Sequence, residues 1–432
     1  MSKICMVSLG CPKNLVDSEE ILGALTVGGH EFTVDPQESD IIIVNTCCFI
    51  DHATQESVEK IEEMGQYGKK LIVAGCLSER HGGEILDLLP CVDVVMELGG
   101  DVLLAVNCAL SGSRTLVSRS ENVYHNMPRL LSTPYGSAYL KIADGCSNHC
   151  TYCVVPALRG EYVSRPKKEL LAEAKDLVKR GTRELIVIAQ DITAYSDGSA
   201  YALPQLLTDL CKIRDLLWIR LHYCYPERVT DELIEVMRKE PKICKYIDIP
   251  IQHCNDAILQ RMGRRTSKAQ IVGLIEKLRE AMPDITLRTT LIAGFPGETR
   301  EEFEELCSFL WDMRFERLGA FAYSPQEGTL AADMPNQIPE RDRQLRCERL
   351  MEIQAEISSE IGKNKIGRLE QVLVEGKTED GMYIGRTAAD SLDIDGNVLI
   401  KDGEGLQTGD MVCVRVIAST EYDLVGEISM HV

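Results

Sequence analysis

Six apolar stretches alternate with helical stretches between residues 136 and about 325, and this alternation constrains the fold more than any other feature. Strands that alternate with helices usually form a parallel sheet. Six such units predict a partial TIM-like (βα)6 barrel, whose functional loops follow the C-terminal ends of the strands. The predicted strands are 138–143, 184–189, 218–222, 246–250, 286–293 and 317–322.

The first 112 residues repeat the alternation on a smaller scale. Strand-like runs at 4–9, 40–45, 71–75 and 92–96 are separated by helical stretches around 14–26, 53–64 and 79–89. This pattern predicts an N-terminal domain, residues 1–112, with an open parallel α/β sheet. The polar stretch that follows, with Pro128 and Pro134, is predicted to be a linker over 113–135.

The rest of the chain divides at the end of a long polar helix. That helix is predicted over about 340–361 and closes a central domain that spans 136–361. Residues 364–432 lack helical periodicity and carry short β runs, such as 370–374 and 411–416, between glycines. We therefore predict a small all-β barrel at the C-terminus.

Three cysteines directly follow the first predicted strand of the central domain. Cys146, Cys150 and Cys153 have the spacing C-x3-C-x2-C, and we name them the central cysteine set. Three thiolates on one loop can hold three irons of a 4Fe–4S cluster and leave the fourth iron open. Zinc is the alternative, but structural zinc sites normally have four ligands, and an open position indicates a reactive site.

Three further cysteines form what we name the N-terminal cysteine set. Cys11, Cys47 and Cys76 each follow the C-terminal end of a predicted strand, where open α/β sheets place their ligand sites. If they converge, they make a second three-thiolate cluster site. The alternative is three unrelated half-buried thiols. Cys48 could compete with its neighbour Cys47, but successive side chains of an extended chain point in opposite directions, which favours Cys47.

Polar residues and glycines end other strands of the central domain. The fifth strand runs into Leu-Ile-Ala-Gly-Phe-Pro-Gly-Glu at 291–298. We predict that Gly294 and Glu298 contact a cofactor there, together with Gln190 and Gln252 from the ends of the second and fourth strands. His222, at the end of the third strand, is expected to line the same mouth. Each of these residues alone could equally be structural.

Composition limits the partners. The net charge is −20, and residues 364–432 hold thirteen acidic and six basic residues, a balance of −7. Such a barrel should repel phosphate backbones and attract a basic protein, so we do not expect direct RNA binding. The sequence contains no run of about 18 apolar residues, so no membrane span is predicted. Seventeen cysteines without a secretory leader predict a cytoplasmic, metal-binding protein.

Several motifs resemble those of the radical-SAM methylthiotransferases, in that family's domain order. They are Ser-Leu-Gly-Cys-Pro-Lys-Asn-Leu-Val-Asp-Ser at 8–18, Val-Asn-Thr-Cys-Cys-Phe-Ile-Asp at 44–51, Ala-Gly-Cys at 74–76, the run from 139 to 160 and the tail motifs at 384–386 and 421–426. The resemblance implies two 4Fe–4S clusters, S-adenosylmethionine and a C-terminal TRAM barrel. It also implies a radical that takes hydrogen from the substrate and a second cluster that presents a methylated sulfur.

Within that family, the branch that modifies an aspartate β-carbon of the small-subunit ribosomal protein S12 is most similar. Cys-Pro-Lys-Asn at 11–14 distinguishes the two branches, since the tRNA-modifying branch typically has Cys-Gln-Met-Asn at this place. The motifs at 221–226 and 323–328 also favour the branch that modifies the ribosomal protein. The alternative is tRNA adenosine methylthiolation. The implied partners are the basic ribosomal protein, an electron donor such as flavodoxin or ferredoxin, and a sulfur source.

The acidic C-terminal barrel is expected to act as a detachable recognition unit. Since no predicted cluster ligand lies in 364–432, its deletion should remove target binding and leave S-adenosylmethionine cleavage intact. Asp393, Asp395 and Glu404 are expected to contribute to docking of the basic protein.

Overall fold

The first part of the chain forms a six-stranded sheet with strand order β2-β1-β3-β4-β5-β6, and every neighbouring pair is parallel. The computed structural model describes residues 1–120, 128–198, 200–401 and 403–429. All six residues of the third strand are buried, as expected for a strand covered on both faces. The elements are β1 (Lys3–Ser8), α1 (Pro12–Val27), β2 (Glu31–Thr33), β3 (Ile41–Thr46), α2 (Asp51–Gly65), β4 (Lys70–Gly75), α3 (Cys76–His81), α4 (Glu84–Leu88), β5 (Val94–Met96), α5 (Val102–Ser111) and β6 (Thr115–Val117).

The sheet extends into the stretch that was predicted to be a linker. Strand β6 pairs with β5, with Thr115 opposite Val94 and Val117 opposite Met96. Three residues with two β-branched side chains suffice for an edge strand but are too short to give a periodic signal. The linker prediction was therefore wrong for this strand, and residues 121–127 of the predicted linker lie outside the described residues.

The middle part forms a second sheet of six parallel strands in sequential order, β7-β10-β13-β14-β15-β16. Side chains alternate along these strands: Leu140 and Val187 pack against the surrounding helices, while Tyr139 and Ile186 face the interior. The elements are β7 (Ser137–Lys141), β8 (Ala143–Asp144), α6 (Val155–Arg159), β9 (Val163–Ser164), α7 (Lys167–Lys179), β10 (Glu184–Ile188), β11 (Ser196–Asp197), β12 (Ala200–Tyr201), α8 (Leu203–Cys211), β13 (Trp218–Leu221), α9 (Asp231–Lys239), β14 (Ile243–Asp248), α10 (Asp256–Arg261), α11 (Lys268–Ala281), β15 (Thr286–Ala293), α12 (Arg300–Met313), β16 (Arg317–Ala322) and α13 (Glu340–Lys363).

The C-terminal part is a closed five-stranded barrel with strand order β17-β18-β19-β21-β20. Its core consists mainly of valine and isoleucine side chains, for example those of Val372, Val398 and Val414. The strands are β17 (Leu369–Lys377), β18 (Tyr383–Thr387), β19 (Val398–Lys401), β20 (Met411–Ser419) and β21 (Leu424–Ile428). The predicted fold class, two α/β units followed by a small β-barrel, is confirmed. No helix of the described ranges has the length and apolarity needed to cross a membrane.

The loop between β18 and β19, residues 388–397, enters the interior of the second sheet, and we name it the insertion loop. Leu392 packs against Tyr139 and Ile186 of that sheet and against Val16 of α1, so all three parts of the chain meet there. Ser391 Oγ lies 2.7 Å from His222 Nε2. His222 therefore holds the insertion loop, which corrects the expectation that its side chain is part of a cofactor mouth.

The insertion loop also corrects two expectations about the C-terminal barrel. The side chain of Asp395 is only 3% exposed, accepts a 2.7 Å hydrogen bond from the Tyr246 hydroxyl and faces Arg288 Nε at 3.4 Å. Asp390 is buried in an ion pair with Arg317. Because these carboxylates are bound inside the second sheet, Asp395 is not a surface docking residue, and the barrel is attached to that sheet through buried contacts.

A buried ion-pair network joins the C-terminal barrel to the second sheet. Glu184 Oε1 lies 2.7 Å from Arg220 Nε, and Glu184 Oε2 lies 2.6 Å from Arg386 Nη2. Burial opposes ionisation of Glu184, but the charges of Arg386 and Arg220 outweigh it and lower the pKa of Glu184 to about 2. The carboxylate is therefore charged at neutral pH and holds two domains together.

We expect Glu184→Gln to reduce the free energy of unfolding by about 3–5 kcal/mol, the usual cost of breaking a buried ion pair. Because the pKa of Glu184 is lowered on folding, its contribution is present above the unfolded pKa of about 4.3 and is lost as the pH falls towards 2. Denaturant titrations at several pH values measure this contribution. Over that pH window, the wild type should lose more stability than Glu184→Gln.

The control for this prediction is Glu379→Gln, which changes an exposed carboxylate of the same C-terminal barrel. Because Glu379 is exposed, its replacement should change the free energy of unfolding by less than about 0.5 kcal/mol. Equal losses of stability in the two variants would contradict a structural role for the Glu184 network.

Candidate iron–sulfur and cofactor site

The N-terminal cysteine set lies at one edge of the first sheet. Cys11 precedes α1, Cys47 follows β3, and Cys76 is the first residue of α3. Their strands β1, β3 and β4 are neighbours, so the three loops meet. Gly10 packs directly on Cys47: a β-carbon added at Gly10 would lie 2.7 Å from Cys47 Cβ and 3.0 Å from Cys47 Sγ.

Asn14, in the first turn of α1, ties these loops together. Its Nδ2 donates to the carbonyl oxygens of Thr46 at 2.6 Å and Leu9 at 3.1 Å. Asn45 Nδ2 in turn donates to the Asn14 carbonyl at 2.8 Å. Asn14 Oδ1 lies 3.6 Å from Cys76 Sγ. One buried side chain therefore contacts the ends of β1 and β3 and the third cysteine of the set.

Cys47 and Cys48 have different surroundings. Cys48 is completely buried in the apolar cluster that includes Val44 and Leu77. Cys47 instead contacts Gly10, the residue before Cys11, and exchanges hydrogen bonds with Ser57 through its own backbone. This difference follows from the alternation of an extended chain and supports Cys47 as the member of the set.

We expect Gly10→Ala to be more damaging than Gly29→Ala, because the two glycines share a backbone conformation and differ in their surroundings. Both have positive φ, +87° and +79°, but a β-carbon at Gly29 would meet nothing within 4 Å. Gly29→Ala should therefore cost about 1–2 kcal/mol for the left-handed backbone alone. Gly10→Ala should cost more, because Cys47 must also move. Denaturant unfolding measures both, and equal costs would contradict the close packing of these loops.

The central cysteine set lies on the loop after β7 and β8. The backbone N–H of Cys146 donates to the Gly160 carbonyl at 3.0 Å, which closes the loop. Cys150 Sγ lies 2.8 Å from the Tyr225 hydroxyl, and the guanidinium of Arg264 lies 4.1 Å from the centre of the Tyr225 ring. Tyr225, which follows β13, therefore contacts this loop at the C-terminal edge of the second sheet, and Arg264 packs on its ring.

Arg159 connects the two cysteine sets. Its Nη2 lies 3.7 Å from Cys76 Sγ and donates to Asn14 Oδ1 at 2.8 Å and Asp17 Oδ2 at 2.7 Å. Its Nη1 donates to Asp144 Oδ2 at 3.1 Å. Asp144 lies two residues before Cys146, the first cysteine of the central set. The two sets thus face each other across the boundary between the first and second sheets.

A cation lies near one cysteine of each set and favours the thiolate form that an iron–sulfur cluster requires. Burial raises the pKa of Cys76 and of Cys153 to about 12, although the nearby cations Arg159 and Lys13, respectively, act in the opposite direction. Within the described ranges, no group of three or more His, Cys, Asp or Glu has the arrangement of a single metal-ion site. The donor chemistry, three thiols per set with cations close by, fits three-thiolate clusters.

Gln190 and Gln252 lie at the same edge of the second sheet. Gln190 Nε2 donates to Asp144 Oδ1 at 2.8 Å, beside the loop of the central cysteine set. Its Oε1 is buried and has no hydrogen-bond partner among the described residues. Gln252 is 8% exposed and has a left-handed backbone, with φ +71°. Gln190 therefore lies beside the loop of the central set, and a cofactor contact by either glutamine stays a prediction.

Gly294 and Glu298 already have partners within the fold. Glu298 Oε2 accepts hydrogen bonds from the backbone N–H groups of Gly294 at 2.8 Å and Phe295 at 3.2 Å, and Oε1 pairs with Arg346 Nη1 at 2.6 Å. A β-carbon at Gly294 would lie 2.5 Å from Arg343 Cγ. These contacts give the turn a structural role in docking α13, and a cofactor contact through it stays a prediction.

Sequence reasoning missed the residues that join the two sets. They come from segments far apart in the chain, so no local spacing marks them. Their shared property is burial with a polar or aromatic partner on another segment, which only the fold reveals. They include Lys13, Asp17, Lys141 and Arg159 at the domain boundary.

Three family models match successive parts of the chain. The Radical SAM superfamily matches residues 140–310, the Uncharacterized protein family UPF0004 matches residues 3–97, and the TRAM domain matches residues 366–428. These ranges correspond to the second sheet, the first sheet and the C-terminal barrel.

Curated relatives match over nearly the whole chain. The ribosomal protein uS12 methylthiotransferase RimO of Trichlorobacter lovleyi is 48% identical, with 98% of each chain covered. RimO of Geobacter sulfurreducens is 47% identical, over 99% of this chain and 98% of the relative. RimO of Pelotomaculum thermopropionicum is 45% identical, over 98% and 99%.

Solved structures share the fold at low sequence identity. The radical S-adenosylmethionine methyltransferase TsrM from Kitasatospora setae, with cobalamin and a [4Fe-4S] cluster bound, aligns with a TM-score of 0.55 and 14% identity, over 86% of this chain and 81% of that one. The cobalamin-dependent S-adenosylmethionine radical enzyme OxsB aligns with a TM-score of 0.54 and 13% identity, over 82% and 56%.

Proposed function

Since this chain belongs to the RimO family of ribosomal protein uS12 methylthiotransferases, we propose that it adds a methylthio group to the β-carbon of an aspartate of uS12. It is a radical-SAM enzyme that uses 4Fe–4S clusters and S-adenosylmethionine. The observation that carries the proposal is the pair of three-cysteine sets at adjoining sheet edges, joined through Arg159. The proposed reaction requires one substrate carbon to reach both sets.

The proposed ligands are the six cysteines of the two sets. When bound, the central cluster with S-adenosylmethionine supplies a radical able to remove hydrogen from carbon, and the N-terminal cluster supplies the sulfur. Tyr225 and Arg264 hold the central loop, and Asn14 holds the N-terminal loops. Gln190 and Gln252 are the proposed contacts to S-adenosylmethionine, because their polar side chains lie at the C-terminal edge of the second sheet.

Charge supports a basic protein as the target. Residues 364–432 contain thirteen acidic residues, and three of them form buried ion pairs: Glu375, Asp390 and Asp395. The basic residue Arg386 is also buried in an ion pair, and each of these four side chains is at most 9% exposed. The remaining charges keep a balance of −5, which favours a basic ribosomal protein over RNA. We further propose that the two clusters require a small electron donor of the flavodoxin or ferredoxin type and a separate sulfur source.

Mass spectrometry of ribosomal proteins tests the proposal. uS12 from cells that contain the gene should carry a methylthio group on an aspartate, and uS12 from cells without it should not. Complementation with the intact gene should restore the modification, and a gene with the central cysteine set changed to alanine should not. Unmodified uS12 together with a methylthiolated tRNA adenosine that depends on this gene would contradict the proposal.

A further inference from the structure

The ammonium group of Lys13 is buried without a carboxylate. Lys13 is 8% exposed, and its Nζ lies 3.3 Å from the centre of the Tyr223 ring. Within the described parts of the chain, no carboxylate forms an ion pair with this ammonium; its close contact is the aromatic side chain of Tyr223. A buried cation is costly unless an anion pairs with it, so this position suits an anionic ligand.

Three other buried cations at the same domain boundary are each paired with a carboxylate. Lys141 Nζ lies 2.5 Å from Asp17 Oδ1, and Arg159 Nη2 lies 2.7 Å from Asp17 Oδ2. Arg129 Nη2 lies 2.5 Å from Glu19 Oε2. The fold therefore provides carboxylates for its structural cations here, whereas Lys13 is held in place by an aromatic ring.

Lys13 lies between the two cysteine sets. It follows Cys11 by two residues, and its ring partner Tyr223 comes shortly after the end of β13 in the second sheet. Lys13 directly precedes Asn14, whose Oδ1 lies 3.6 Å from Cys76 Sγ, and the charge of Lys13 acts to lower the pKa of Cys153 of the central set. A substrate carbon that must reach both sets has to occupy this region.

The chemistry of the reacting carbon then suggests what the ammonium binds. The β-carbon of aspartate is bonded directly to its carboxylate, so placing that carbon between the two sets brings the carboxylate to the same region. We propose that Lys13 binds the carboxylate of the target aspartate and thereby selects aspartate over uncharged residues. This inference rests on the proposed function and adds a specificity-determining residue to it.

The test compares two substrates and two enzymes. The substrates are recombinant uS12 and a variant whose target aspartate is asparagine, which keeps the reacting C–H bond and the shape but loses the charge. The enzymes are reconstituted wild type and Lys13→Met, which keeps the length of the side chain over Tyr223. Lys168→Met, on the exposed face of α7, is the matched control.

We expect the wild type and Lys168→Met to form about 10- to 100-fold more methylthiolated product per deoxyadenosine with aspartate than with asparagine, the range for a hydrogen bond to a charged group. In Lys13→Met this preference should fall to about threefold or less, on the same scale. Lys13→Arg, which keeps a cation, should retain part of it. Expressing product per deoxyadenosine separates substrate selection from radical formation.

Three outcomes would overturn the inference. The first is a wild type with no preference for aspartate, which needs no variant to fold. The second is Lys13→Met with the preference intact. The third is Lys13→Met that retains its iron but no longer forms deoxyadenosine in the absence of uS12, which would assign the ammonium to the methionyl carboxylate of S-adenosylmethionine. If Lys13→Met loses iron, Lys13→Gln enters the same comparison. Failure of the proposed function is different: the wild type then modifies no uS12 at all.

Discussion

Changing the N-terminal cysteine set to alanine should abolish methylthiolation of uS12 and leave S-adenosylmethionine cleavage in place. The proposed radical-forming site lies on the loop after β7, whose own anchors are Gly160 and Tyr225. None of these contacts involves Cys11, Cys47 or Cys76. We expect iron to fall from about eight to about four per chain, as for loss of one of two 4Fe–4S clusters. Deoxyadenosine is measured by chromatography and product by mass spectrometry.

Two controls make this result specific. Cys91, Cys108 and Cys413 are half-buried thiols outside both sets, and their replacement by alanine should change neither iron nor product. Changing the central cysteine set should remove deoxyadenosine and product together. A triple N-terminal variant that still methylthiolates uS12 at the wild-type rate would show that these cysteines are ordinary thiols.

The sheets were predictable because their strands carry a strong local pattern. The predicted bounds of the last two strands of the second sheet, 286–293 and 317–322, agree with β15 and β16. Both sheets are parallel, and their central strands, such as β3, β4 and β10, are almost wholly buried and mainly apolar. The missed elements are short or at edges: β2 and β6 have three residues each, too few for any period to be visible.

The placement of the two cysteine sets at the edges of the sheets was predictable for a different reason, and their role as ligands stays a proposal. The spacing of Cys146, Cys150 and Cys153 places all three on one loop. The other three cysteines follow strands of a parallel sheet, and such strands present their ligand sites at one edge. What joins the two sets was not predictable, because Arg159 meets Cys76 and Asp17 only after two domains have packed together. Contacts between distant segments leave no periodic trace in the sequence.

The C-terminal charges show the same limit. In the sequence, Asp390, Asp393 and Asp395 look alike, three carboxylates in a turn between strands. In the structure, the side chains of Asp390 and Asp395 are buried in ion pairs, while Asp393 is exposed. Burial depends on where the insertion loop docks, which no local pattern encodes. A count of carboxylates in the sequence therefore gives too large an acidic surface for the barrel. It also gives no sign that two of these carboxylates attach the barrel to the second sheet.

Deleting residues 364–432 should consequently reduce S-adenosylmethionine cleavage strongly, in addition to removing uS12 binding. The deletion removes Leu392 from its contacts with Tyr139 and Ile186, and it removes Asp390 from Arg317. Tyr139 lies on β7, the strand that leads to the central cysteine set. With the interior of the second sheet open to water, we expect the truncated protein to unfold at a lower temperature, to bind less iron and to form at least about tenfold less deoxyadenosine, a loss of about 1.4 kcal/mol or more.

A charge-reversal variant separates attachment from recognition. Glu404, Glu421 and Glu427 are exposed on the C-terminal barrel, so changing all three to lysine should preserve iron content and deoxyadenosine formation. It should weaken uS12 binding most at low salt, where the Debye length is longest, and the difference from wild type should shrink towards 1 M salt. Binding is measured by a salt titration with isolated uS12.

The deletion has a clear contrary outcome. A truncated enzyme that still cleaves S-adenosylmethionine at the wild-type rate would show that the insertion loop is dispensable. The interior contacts of Leu392 and Asp390 would then not be needed to hold the radical-forming site.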